Sequence, residues 1–155
     1  MIGLIDFDGT VVYHVHECIC EEETDAEAVL KKLVAKGHKL ILWTCRNHSA
    51  DNPYNYYDSK HKYPKVPDSL DEAINWFKER NIPLYAVNQN PSSKQYIGTS
   101  EKPLCDFVID DLNIGTPLKF KKVKCMTYDG HPYEIITHCV DWEVMEEMLR
   151  DRGLI

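Results

Sequence analysis

No apolar run in this chain approaches the roughly 18 residues that a membrane helix needs. Its first residues offer neither a basic stretch nor a small-residue cleavage site. The expectation is a chain with no transmembrane segment and no secretory leader. Cysteines paired as CxxC are also missing: Cys18, Cys20, Cys45, Cys105, Cys125 and Cys139 are scattered, several of them inside apolar strand-like stretches. They read as reduced thiols, so no disulfide framework is expected and the compartment expected is the cytoplasm. Positive charge is in deficit, with 18 Lys+Arg against 25 Asp+Glu and a net charge of −7. Broad binding to nucleic acid or anionic lipid needs clustered Lys and Arg against phosphate, and this balance argues against both. No internal repeat and no low-complexity tract occurs.

What is present is an ordinary core-forming composition, 43% hydrophobic over 155 residues. A chain of this size buries about two thirds of its unfolded surface, so a single domain over 1–155 is expected, with a core over 1–115 and an extension over 119–155. Met1-Ile-Gly-Leu-Ile5 reads as a buried strand that stops at acidic residues. From Thr24 or Asp25, Ala28, Val29, Leu30, Leu33 and Val34 recur at helical spacing up to Gly37. A second strand follows over 38–44, a second helix over about 68–80, and further strands over 84–88 and 106–110. Apolar strands alternating with helices predict an α/β fold, a Rossmann-like parallel sheet with helices on both faces. The tail adds two β-like runs, 122–128 and 133–140, around Asp129-Gly130-His131-Pro132, then an amphipathic helix over about 141–152. These predict a C-terminal hairpin and helix.

In open parallel sheets, ligands sit beyond the carboxyl ends of the strands, where strand order reverses. Those ends carry Asp6 and Asp8, Thr44, and Asp110 and Asp111. Four carboxylates converging there would repel one another, and a cation relieves the repulsion. An all-oxygen ligand set favours Mg²⁺, which binds phosphate oxygens readily and so points to phosphate chemistry. An ionised Asp can attack phosphorus, and a second Asp two residues on can protonate the leaving oxygen and later activate water.

Asp6-Phe7-Asp8-Gly9-Thr10 after the first strand resembles the first motif, DxDGT, of the haloacid dehalogenase superfamily of Mg²⁺-dependent aspartyl phosphohydrolases. The resemblance spans about residues 1–115. It implies Asp6 as nucleophile and Asp8 as general acid/base, with the Asp8 backbone carbonyl also offered to the metal. Thr44, in Leu-Trp-Thr-Cys-Arg, is similar to the second motif, whose hydroxyl holds a phosphoryl oxygen. Asp110-Asp111 is similar to the fourth, in which the first Asp ligates Mg²⁺ and the second supports it directly or through water. The third motif is a phosphate-neutralising lysine, and two are on offer. Lys102 precedes Pro103 eight positions before Asp110, a context similar to that of many members, and is favoured over Lys94. About 15 residues separate Thr10 from the first helix and about 17 separate Asn88 from Asp106, too few for a cap domain. The resemblance therefore implies a small capless phosphatase of a phosphorylated substrate, most simply a small molecule, with a phosphorylated macromolecule as the other option.

Other readings stay beside it. A phosphotransferase on the same scaffold would pass the phosphoryl group to an acceptor other than water. A non-catalytic module that binds phosphorylated partners would be expected to lack Asp6 or Asp8. A receiver-type signalling domain would carry its acidic pair early and its phosphorylated Asp on a middle strand. His14, His16, Cys18 and Cys20 alternate and would share a face if extended, but one flat strand cannot wrap all four round an ion, so a polar flap beside the site is the preferred reading. The insertion 47–67, with Tyr54, Tyr56, Tyr57 and Tyr63, is expected to border the pocket. Lys119, Lys121, Lys122 and Lys124 read as a solvated strand edge.

Overall fold

The computed structural model describes residues 1–13, 15, 18–20, 23–48, 69–93, 104–127 and 130–155. The apolar run at the start forms β1 (Ile2–Ile5). It is flanked in parallel by β3 (Lys39–Leu42) and β5 (Phe107–Ile109), and β4 (Leu84–Val87) lies beyond β3. The order β4-β3-β1-β5 means that the chain leaves β1 on one side and returns on the other. Strand order reverses beside β1, so the crevice at its carboxyl end opens between β1 and β5.

Helix α1 (Ala26–Ala35) links β1 to β3 and α2 (Ser69–Glu79) links β3 to β4. Both follow the apolar spacing of the sequence: Ala26, Val29, Leu30 and Leu33 of α1, and Leu70, Ala73 and Phe77 of α2, are buried. They join one cluster with Ile5, Leu40, Leu42 and Ile109, residues that the parallel register places on a single face of the sheet. The C-terminal helix α3 (Trp142–Asp151) adds Trp142, Met145 and Leu149 to the same cluster. Among the described residues, then, the helices cover one face of the sheet, where helices on both faces were expected. The reason lies in the connections: two successive right-handed crossovers that step in the same direction leave their helices on the same side. On the opposite face Leu4 and Ile41 are buried, whereas Val108 is 42% exposed.

The tail forms β6 (Leu118–Thr127) and β7 (Pro132–Val140), paired from Leu118↔Val140 to Met126↔Pro132. A third strand joins them. The segment expected to be a flap contains β2 (Cys18–Cys20), which pairs antiparallel with Cys125–Thr127 and gives the sheet order β2-β6-β7. Its backbone is extended at Cys18–Cys20, where a polar flap was expected, and the edge of β6 supplies its partner. His14, His16 and the side chains of Cys18 and Cys20, the candidate second metal site, lie outside the described residues.

Val123, Cys125, Cys139 and Val140 bury one part of this sheet in the main cluster. Among the contacts that tie the tail to the rest of the fold are the Lys32–Glu146 ion pair to α1 at 2.6 Å and the His38 Nε2 contact with the Leu154 carbonyl at 2.8 Å, just before β3. No helix among the described residues is long and apolar enough to cross a membrane.

Candidate metal centre at the end of β1

Two backbone contacts extend the strand ladders past β1 and bring the site residues alongside one another. Asp6 N–H donates to the Ile109 carbonyl at 3.0 Å, and Trp43 N–H donates to the Ile5 carbonyl at 2.8 Å. Asp6 thus sits between the residues that follow β5 and those that follow β3. Phe7 turns into the core against Trp76 and Phe77, leaving Asp6 and Asp8 to face the crevice side. The chain then reverses: the Phe7 carbonyl accepts from Thr10, Val11 and Val12 N–H, and Gly9 adopts φ +79°. Glycine is required here on two counts. The left-handed backbone disfavours a side chain, and a Cβ would lie 2.5 Å from Asp111 Oδ2.

Asp6, Asp110 and Asp111 each offer an oxygen within 4.8 Å of the others and form a group able to hold a metal ion. Burial, above all, pushes the Asp6 carboxyl up from 3.8 to about 7. Hydrogen bonds from Phe7 N–H and the Thr10 hydroxyl oppose that rise, while the charges of Asp110 and Asp111 add to it. Three partly buried carboxylates with only oxygen donors suit a small hard cation, and the cost of ionising Asp6 among them is what such a cation would remove.

Thr10, fully buried, binds the two halves of the group together: its hydroxyl donates to Asp6 Oδ2 at 3.0 Å and accepts from Asp111 N–H at 3.0 Å. Thr10→Val keeps the volume and removes the hydroxyl, stranding that buried N–H. A loss of about 1–3 kcal/mol is expected in urea unfolding, with Thr10→Ser close to wild type; a Val variant of full stability would contradict the bridge.

Asp8 does not join the group. Four carboxylates were expected to converge and three do, because both Asp8 oxygens are taken by Arg46, from Nε at 2.8 Å and from Nη2 at 2.7 Å. The same guanidinium reaches Glu72 at 2.7 Å and lies over the Phe7 ring, 4.7 Å from its centroid. Burial works against the Arg46 charge, but Asp8 and Glu72 outweigh it and raise the guanidinium above its ordinary value. Thr44 is held by its own N–H donating to Asn88 Oδ1 at 2.8 Å, and its hydroxyl accepts from Arg46 N–H at 3.2 Å. Lys94 and Lys102 lie outside the described residues, as does 49–68, nearly all of the Tyr-bearing insertion.

Two residues of the site went unread in the sequence. Arg46 stands two positions after Thr44, and its cationic character beside an acidic strand end was the available signal. His138 Nε2 lies 2.7 Å from Asp111 Oδ2. It is a single imidazole in the apolar run of β7, and no local pattern links it to a carboxylate 27 positions earlier.

No family model matches the chain, and no curated protein matches it. Among solved structures it is similar to a conserved protein coded by a locus of Bacteroides thetaiotaomicron. The two are 30% identical, the match covers 98% of this chain and 91% of that one, and the TM-score is 0.60. The chain belongs to the family of that conserved protein. The likeness runs through both the parallel sheet and the C-terminal hairpin and helix, since only 2% of the chain falls outside it.

Proposed function

We propose that this family member is a Mg²⁺-dependent phosphatase of the haloacid dehalogenase type, hydrolysing a phosphate monoester through an aspartyl-phosphate on Asp6. One observation carries the reading: Asp6, Asp110 and Asp111 meet within 4.8 Å at the reversal point of a parallel sheet, with Asp8 two positions after Asp6, just before Gly9. Bound by these carboxylates, Mg²⁺ would neutralise their repulsion and orient the phosphoryl group.

The chain's own residues supply the rest. Asp6 attacks phosphorus as the ester P–O bond breaks, with one of its oxygens fixed by the Thr10 hydroxyl. Asp8 gives a proton to the leaving oxygen, then takes one from the water that attacks phospho-Asp6, and the carboxylate of Asp6 is regenerated with release of phosphate. Both Asp8 oxygens are forked by Arg46, so each transfer requires that fork to open on one side. The Thr44 hydroxyl accepts from the backbone, which leaves its hydrogen to donate to a phosphoryl oxygen. Lys102 is proposed as the neutralising lysine, with Lys94 as the alternative.

The test is release of phosphate from an aryl phosphate. Turnover is expected with Mg²⁺ and none with excess EDTA. Unchanged turnover after rigorous metal removal would sink the proposal.

A further inference from the structure

We infer that His138, carried by the C-terminal hairpin, is a positioning residue that holds Asp111 in its metal-ligating orientation. This makes β7 a working part of the metal centre. The inference rests on the reading of Asp6, Asp110 and Asp111 as ligands of Mg²⁺.

Four contacts support it. First, His138 Nε2 lies 2.7 Å from Asp111 Oδ2, and the Asp111 side chain is only 5% exposed. A buried carboxylate that accepts from an imidazole N–H with one oxygen keeps its second oxygen for a cation, and its rotamer is fixed. The other three contacts fix the carboxyl end of β7, which carries the imidazole, and the start of α3. Val140 N–H donates to the Gly9 carbonyl at 2.8 Å, and the Thr10 carbonyl accepts from both Cys139 Sγ at 2.9 Å and Trp142 Nε1 at 2.8 Å. Three of the four residues that follow His138 are therefore bonded to the turn whose Thr10 hydroxyl joins Asp6 to Asp111.

Two local features shape the approach. Gly9 lacks the Cβ that would meet both Asp111 Oδ2 and, at 3.2 Å, His138 Nε2. Phe120, the cross-strand partner of His138, sets its ring 5.7 Å from the imidazole. Burial of the neighbouring Cys139 pushes its thiol up to about 12, and the thiol donates to the Thr10 carbonyl.

The test is Mg²⁺ binding, measured by calorimetry on the whole chain without substrate. Outer partners of metal ligands typically contribute about 10–100-fold in affinity. His138→Leu, which keeps bulk without a donor, is expected to weaken Mg²⁺ binding by about that factor. His138→Gln, which returns an N–H at similar reach, should recover most of the loss. Equal affinity of His138→Leu and wild type would overturn the inference, as would equal weakening in two folded variants.

A second measurement needs no substitution. Mg²⁺ added to the wild type should shift the ring-nitrogen NMR signals of His138 with the calorimetric midpoint, and signals that stay fixed while Mg²⁺ binds would overturn the inference. Absence of Mg²⁺ binding by the wild type would instead overturn the metal-centre reading on which it rests.

Discussion

Asp6→Asn is expected to abolish turnover and, at the same time, to make the metal-free protein more resistant to urea at pH 8. The first effect follows from chemistry: an amide cannot form the acyl-phosphate. The second follows from electrostatics. The Asp6 carboxyl titrates near 7 in the folded chain, against an ordinary value of 3.8, chiefly because burial disfavours its anion. The folded state therefore binds more protons than the unfolded state between those values. Stability relative to a neutral side chain is intact below the lower value, and it falls as pH rises through the higher one. The full displacement is worth ~4 kcal/mol, and water reaching this half-buried group screens it to roughly 2 kcal/mol. Urea midpoints in EDTA should fall from pH 5 to pH 8 for the wild type and stay nearly level for Asp6→Asn. A wild type that becomes more stable over that range would contradict the assignment of Asp6 as the strained carboxylate.

Asp8→Asn is expected to lower steady-state turnover by about 10²–10⁴, the usual worth of a positioned acid/base. The loss should fall unevenly on the two steps. An aryl leaving group departs without protonation, so phospho-Asp6 still forms, whereas its hydrolysis needs water activated by Asp8. Rapid mixing should show a burst of phenol close to one equivalent, then a slow phase. A uniform loss with no burst would mean that Asp8 acts before the intermediate forms. Arg46 predicts a further detail, since it grips both oxygens that must exchange protons: the amide in Asp8→Asn has one acceptor, so the fork loosens, and Arg46 then turns wholly to Glu72, which it already touches.

The parallel sheet was legible because each strand is a short apolar run and each helix repeats its apolar residues every three or four positions. Ile5, Leu40, Leu42, Leu30, Leu33 and Phe77 are all fully buried. The acidic edge was legible because those runs end abruptly at Asp6 and Asp110. Pairings between distant segments were not. Cys18–Cys20 carries no strand signal of its own length and is a strand only because β6 offers it an edge. The one-sided helical layer depends on crossover direction, which periodicity does not encode. Arg46 and His138 escaped for a related reason. A hydrogen bond across 38 positions to Asp8, or across 27 to Asp111, is a product of topology, and no residue type announces it.

If Asp6 carries a covalent phosphoryl group in a Mg²⁺-dependent cycle, that intermediate can be trapped and mapped. The protein is mixed with a ³²P-labelled aryl phosphate and Mg²⁺, quenched in acid, reduced with borohydride and digested. Label is expected within one turnover, borohydride should remove it, the residue so reduced should be Asp6, and EDTA should prevent labelling altogether. Phosphate release with no trapped label, or label on any residue other than Asp6, would contradict a phosphorylated Asp6.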